Sequence, residues 1–152
     1  MKRILSVWLA ALLLISLCGC GGKAKNVDAE KLAAALKEQL TYDDTLTAVT
    51  ADELSMYGVE IPAGAVVAAY MSSGATGEEI VAAQCAGAAD AQALKDALTA
   101  LVDDQAESFR RYKPEETARL EKAVIYLSGS CVVLSVSSDP AAAEKIIEGF
   151  CQ

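Results

Sequence analysis

Cysteines and carboxylates carry most of the reactive potential of this sequence, because histidine is absent. Without imidazole the chain lacks the usual general base near neutral pH, the commonest metal ligand, and any Ser-His or Cys-His nucleophile. No Ser-x-x-Lys motif offers the alternative serine activation. Cys85, Cys131 and Cys151 show no Cys-x-x-Cys spacing, so neither a zinc site nor a dithiol redox site is expected. Cys85 and Cys131 sit in apolar runs, where a thiol is an ordinary core residue. A disulfide, Cys131 to Cys151 or Cys85 to Cys131, and a catalytic thiol are the other readings. The acidic pairs Asp43-Asp44, Glu78-Glu79, Asp103-Asp104 and Glu115-Glu116 do not form a calcium loop. Chain neighbours also diverge on a helix or strand, which makes them poor catalytic dyads. Solvated surface is the expectation for them, with Glu79, beside a turn, as the exception. Arg110-Arg111-Tyr112-Lys113 is the one basic cluster, suited to the negative end of a helix or to docking an acidic partner or a glycan-linked phosphate. Arg111 and Tyr112 of this cluster, together with Glu79, are candidate interaction residues. No catalytic residue, metal ligand or cofactor is expected.

The remaining cysteines lie at the start. Residues 1–20 read MKRILSVWLAALLLISLCGC: a basic opening, then an apolar run from Ile4 to Leu17. That run is short for a membrane span, which needs roughly 20 apolar residues, but it has the length of a signal-peptide core. It ends in Leu17-Cys18-Gly19-Cys20, similar to the lipobox of bacterial lipoproteins. A thiolate accepts the diacylglyceryl group, and small Gly19 admits the peptidase to the Gly19–Cys20 bond. Cys18 is the poorer acceptor because bulky Leu17 precedes it. The expectation is a cleaved leader over 1–19, lipidated Cys20 with a tether over 20–26, and one domain over 27–152. The protein would sit on the extracytoplasmic face of the cell membrane, held by its acyl chains, palmitate among them. Loss of Lys2 and Arg3 lowers the net charge from −8 by two more. So acidic a chain disfavours nucleic acid and a broad electrostatic grip on anionic polymers.

Several elements must position these groups. Asp28 is an N-cap before Leu32, Leu36 and Leu40, and a short helix is expected around Asp52 to Met56. Tyr57 to Pro62 reads as extended. Ala65–Ser72 and Glu79–Ala86 form a hairpin around Ser73-Gly74-Ala75-Thr76-Gly77. Asp90 is expected to cap a long helix with Leu94, Leu98, Leu101, Val102, Gln105 and Phe109 on one stripe. Pro114 opens a further short helix. Val124–Leu127 and Cys131–Val136 form a second hairpin, and Ser138-Asp139-Pro140 starts a last helix that turns Ile146, Ile147 and Phe150 inward. The fold class is α+β: a four-stranded antiparallel sheet of two hairpins covered by helices, in the order α-ββ-α(α)-ββ-α.

Tyr70 with Ser73-Gly74-Ala75, then Glu78-Glu79-Ile80, Gln105, Phe109, Tyr112-Lys113-Pro114-Glu115, Gly129 and Ser138-Asp139 carry a resemblance to a known family. From about Tyr70 to Asp139 the chain resembles a family of small lipoproteins of Clostridia-type Gram-positive bacteria, described only as a domain of unknown function (DUF4358). The resemblance implies an exported, lipid-anchored domain and brings no catalytic residues; it adds Tyr70 to the candidate interaction residues.

The leading expectation for function is a non-enzymatic binding or accessory domain outside the cell, acting on an envelope protein or a small ligand. The second is a structural or assembly factor of an envelope complex. An enzyme using Cys or carboxylates is the third, and it requires a deep cleft with converging side chains.

Overall fold

The computed structural model describes residues 26–151. The leader, Gly19, Cys20 and the tether up to Lys25 lie outside the described residues.

Helix α1 (Ala29–Gln39) starts where the Asp28 side chain accepts from the Lys31 N–H at 3.1 Å. Its Leu32, Ala33 and Leu36 are buried, one apolar stripe at helical spacing. Leu40 is buried too, but as the extended residue that ends the helix. After β1 (Thr47–Val49) comes α2 (Ala51–Ser55), opened by a capping box between Thr50 and Glu53. Strands β2 (Val66–Met71) and β3 (Glu79–Gln84) form the first expected hairpin, with Tyr70 opposite Ile80 and Met71 opposite Glu79.

Long α3 (Ala88–Phe109) follows, then α4 (Pro114–Leu120) with proline in its first turn. Strands β4 (Val124–Ser128) and β5 (Cys131–Val136) form the second hairpin. The final helix α5 (Pro140–Cys151) begins with the Ala142 N–H on Asp139 at 2.9 Å. The N-cap of α3 is Gly87, not Asp90. Asp90 stands in the first turn, where a carboxylate favours the positive helix end without capping it.

The sheet has five antiparallel strands, not four, ordered β1-β2-β3-β5-β4. The extra strand is β1, three mostly exposed residues with Thr47 opposite Met71 and Val49 opposite Ala69. So short an edge strand carries no hydrophobic alternation; backbone pairing to β2 alone defines it. The hairpins join through β3 and β5, the two most buried strands, with Ala82 opposite Val133.

Helices cover both faces. Alternation along the strands sends Val81, Ala83, Val132, Leu134 and Val136 toward α3 and α4, and Ile80, Ala82, Cys131 and Val133 toward α1 and α5. Leu54 and Val59, around the end of α2, complete the core on the α3 side. Among the described residues no helix is long and apolar enough to cross a membrane.

Candidate functional site

Two buried carboxylates stand side by side in chain order, and their environments are opposite. Glu78 and Glu79 close the β2–β3 turn, and each is only 1% exposed. That corrects the expectation of solvated acidic pairs, and Glu116, at 2%, corrects it again. Pairing with Arg119, which the local sequence does not encode, makes the burial of Glu78 and Glu116 possible.

Glu78 belongs to a clamp. Its carboxylate accepts from the Asp43 N–H at 2.9 and 3.0 Å, the Asp44 N–H at 2.9 Å and the Thr76 hydroxyl at 3.1 Å. The Arg119 guanidinium lies 3.1 Å away, also bonds Glu116 at 3.0 and 3.1 Å, and pairs with Asp43. Glu116 accepts from the Gly77 N–H at 2.9 Å, and the Lys113 ammonium donates to the Ala75 carbonyl at 2.6 Å. Asp44 accepts from the backbone and hydroxyl of Ser73 at 2.9 and 2.5 Å. Three segments distant in sequence are thereby fastened around one hairpin turn. Gly77 packs closely there: a Cβ would lie 2.8 Å from Leu120 Cδ1, so any side chain must displace Leu120.

Glu79 faces α3. Its Oε2 accepts one hydrogen bond, from Gln105 Nε2 at 3.2 Å, and its buried Oε1 has no partner. Burial pushes its pKa up to about 7, opposed only in part by the Gln105 hydrogen bond. Such an orphaned buried oxygen is rare in native proteins and costs stability.

Glu79 lines a cleft of about 470 Å³ between the β2–β3 turn and the C-terminal half of α3. Leu101 and Phe109 give the cleft apolar wall, Asp104 and Ser108 lie along its helical side, and Met56 and Tyr57 approach from the end of α2. Met56 is 76% exposed and Tyr112 68%, which leaves a soft, aromatic rim in solvent. The Tyr112 ring stands 5.4 Å from that of Phe109. No lysine or arginine lines the cleft.

Of the candidate interaction residues, the cleft gathers Glu79 and Tyr112. Arg111 is exposed in the turn after α3 and is not among the lining residues. Tyr70 points to the other sheet face, where the Lys37 ammonium lies 4.3 Å from its ring centroid. Sequence reasoning assigns Glu78, Glu116 and Arg119 no role beyond surface, although Glu78 is among the family-like residues and Glu116 directly follows them; nothing local marks Arg119. Arg110 pairs with Glu107 at 2.6 Å on the surface.

Cys131 and Cys151 come together, Sγ to Sγ 3.8 Å, while Cys85 lies in the core on the opposite face of the sheet. Burial raises the Cys85 thiol and pushes the Cys131 thiol to about 12, away from the reactive thiolate. Among the described residues no group of three or more Cys, Asp or Glu is placed to hold a metal ion.

A family model described as Domain of unknown function (DUF4358) matches residues 47–137. The chain belongs to the DUF4358 family. No curated protein and no solved structure gives a significant match. The matched span begins at β1, earlier than the resembling stretch read from the sequence, and ends just after β5. It holds every residue that lines the cleft, along with Glu78, Glu116 and Arg119 of the clamp. Helices α1 and α5 of this DUF4358 protein, which cover the opposite sheet face, fall outside it.

Proposed function

We propose that this DUF4358 protein is a lipid-anchored, extracytoplasmic binding domain without catalytic activity, and that the cleft over Glu79 holds its ligand. The observation that carries this reading is Glu79 itself: a buried carboxyl with one unpartnered oxygen, lining a cleft of ligand size. A purely structural role would favour an apolar residue at this position. Support for a non-catalytic role comes from the lack of a second acid or base committed to Glu79. Its neighbour Glu78 is held by Arg119 and three backbone or hydroxyl donors. The sequence of the leader supports the anchor.

The test of the cleft is a thermal-shift screen of the full-length protein against small-molecule fractions, with Ser108→Trp as control. Ser108 is exposed and bonds only the Asp104 carbonyl, at 2.9 Å, so a large side chain there blocks the cleft without opening the core. Fractions that stabilise the wild type and not Ser108→Trp support the reading; identical shifts in both proteins overturn it. For the anchor, Cys20→Ala is expected to leave the membrane fraction and to lose incorporation of a fatty-acid label. Retention of both would refute lipidation.

A second reading, an assembly factor of an envelope complex, draws on the solvent-exposed Met56, Tyr57 and Tyr112. Aromatic and methionine side chains are enriched at protein contacts. Photo-crosslinking from position 112 in intact cells, giving one stoichiometric partner, favours it over a small ligand.

A further inference from the structure

The charge pattern of the cleft specifies what it can hold. Its ionisable lining residues are Glu78, Glu79, Asp104, Tyr57 and Tyr112, with no basic side chain among them. Glu78 is tied to Arg119, which it shares with Glu116 and Asp43, and Lys113 is turned to the Ala75 carbonyl and Glu116. Glu79 is left with one neutral donor, Gln105, and an oxygen that bonds nothing. An anion entering here meets two uncompensated carboxylates, Glu79 and Asp104, and no donor of opposite charge. A neutral apolar guest leaves the buried oxygen unsatisfied. A cation that donates a hydrogen bond answers both the charge and the missing bond. Beside the polar turn residues and Ser108, the wall carries Leu101, Phe109, Met56, Met71 and two tyrosines, which suit carbon next to the charge and let aromatic faces meet a cation.

We propose that the cleft binds a primary ammonium group carried on apolar carbon, donating to Glu79 and packing its carbon portion against Phe109, Tyr112 and Met56. The assignment rests on the reading of the cleft as a ligand site and adds the chemical class. Such an ammonium is presented either by a free amine or by a lysyl side chain.

The probes are phenethylamine, its uncharged and anionic counterparts phenethyl alcohol and 3-phenylpropionate, and Nα-acetyl-lysine methylamide. They are titrated calorimetrically at pH 8 into the full-length chain in non-ionic detergent, alongside Glu79→Gln and Ser108→Trp. Phenethylamine is expected to bind at least about tenfold more tightly than either counterpart, the scale of one charge-assisted hydrogen bond. Glu79→Gln is expected to bring it down to the level of the alcohol. The lysine derivative binding better than phenethylamine identifies the lysyl source; the reverse identifies a free amine. In the wild type alone, binding at pH 7 is expected to release protons, seen as heats that differ between two buffers. The alcohol or the carboxylate binding as tightly as the amine, or no proton release, overturns the ammonium assignment. If such binding disappears in Ser108→Trp, the cleft stands and only the ligand class falls. No binding by any probe also overturns the assignment, and the screen with Ser108→Trp then decides the cleft separately.

Discussion

Gln105 Nε2 reaches across from α3 to donate to Glu79 Oε2 at 3.2 Å, joining the C-terminal part of the long helix to the first residue of β3. It is the sole hydrogen bond of a carboxyl that is 1% exposed. Burial raises the Glu79 pKa from 4.5 to about 7, so the folded protein takes up a proton more readily than the unfolded chain. The resulting stability is fully present below the unfolded value and is lost as pH rises through about 7. Glu79→Gln removes this loss. The variant is expected to exceed the wild type by about 1–3 kcal/mol at pH 8 and to match it near pH 5. Urea unfolding across that range measures the gap; a gap that does not change with pH refutes the account. The other ionisable groups lining the cleft are Glu78, tied to Arg119, and Asp104, Tyr57 and Tyr112.

Arg119 is expected to be the most sensitive basic residue in the domain. It serves Asp43, Glu78 and Glu116 together, and two of these are buried. Arg119→Ala strands buried carboxylates and should cost about 3–5 kcal/mol. Arg110→Ala, which breaks only a solvent-exposed bridge to Glu107, should cost less than about 1 kcal/mol. Equal losses in the two variants would show that the clamp does not hold the turn.

Gly77→Ala tests close packing at the same turn. The added methyl meets Leu120 at 2.8 Å, and Leu120 is only 1% exposed and has little room to retreat. A loss of about 1–3 kcal/mol is expected, with partial recovery in a Gly77→Ala, Leu120→Val double variant that relieves the contact. Simple additivity in the double-mutant cycle would place the strain elsewhere.

Cys131 and Cys151, 3.8 Å apart at sulfur, are expected to form a disulfide when glutathione disulfide is supplied. The two thiols lose two hydrogens and the oxidant becomes two glutathione thiols. Closing this loop stabilises by about 3 kcal/mol on the chain-entropy account. Free-thiol titration before and after oxidation should show two thiols consumed in the wild type and none in Cys151→Ser, while buried Cys85 stays reduced in both.

Most of the scaffold was legible along the chain. Leu32 and Leu36, or Leu94, Leu98 and Leu101, repeat at helical spacing, and Val132, Val133, Leu134 and Val136 are β-branched or apolar between turn residues. Periodicity, caps such as Asp28 and Asp139, and prolines at helix starts are local signals, and local signals survive in one dimension. Strand β1 was not legible, because three exposed residues acquire strand geometry only from the backbone of β2.

The candidate site divides along the same line. Residue types alone ruled out histidine chemistry and drew Glu79 and Tyr112 from the sequence, through their place beside a turn and after a helix. Tertiary structure decided that Glu78 and Glu79 lead opposite lives. Strand alternation sends one carboxylate to Arg119, Asp43 and Glu116, and the other beneath α3 with a single amide for company. Burial and pairing are properties of the space between elements, set by which faces meet, and no spacing along the chain encodes them.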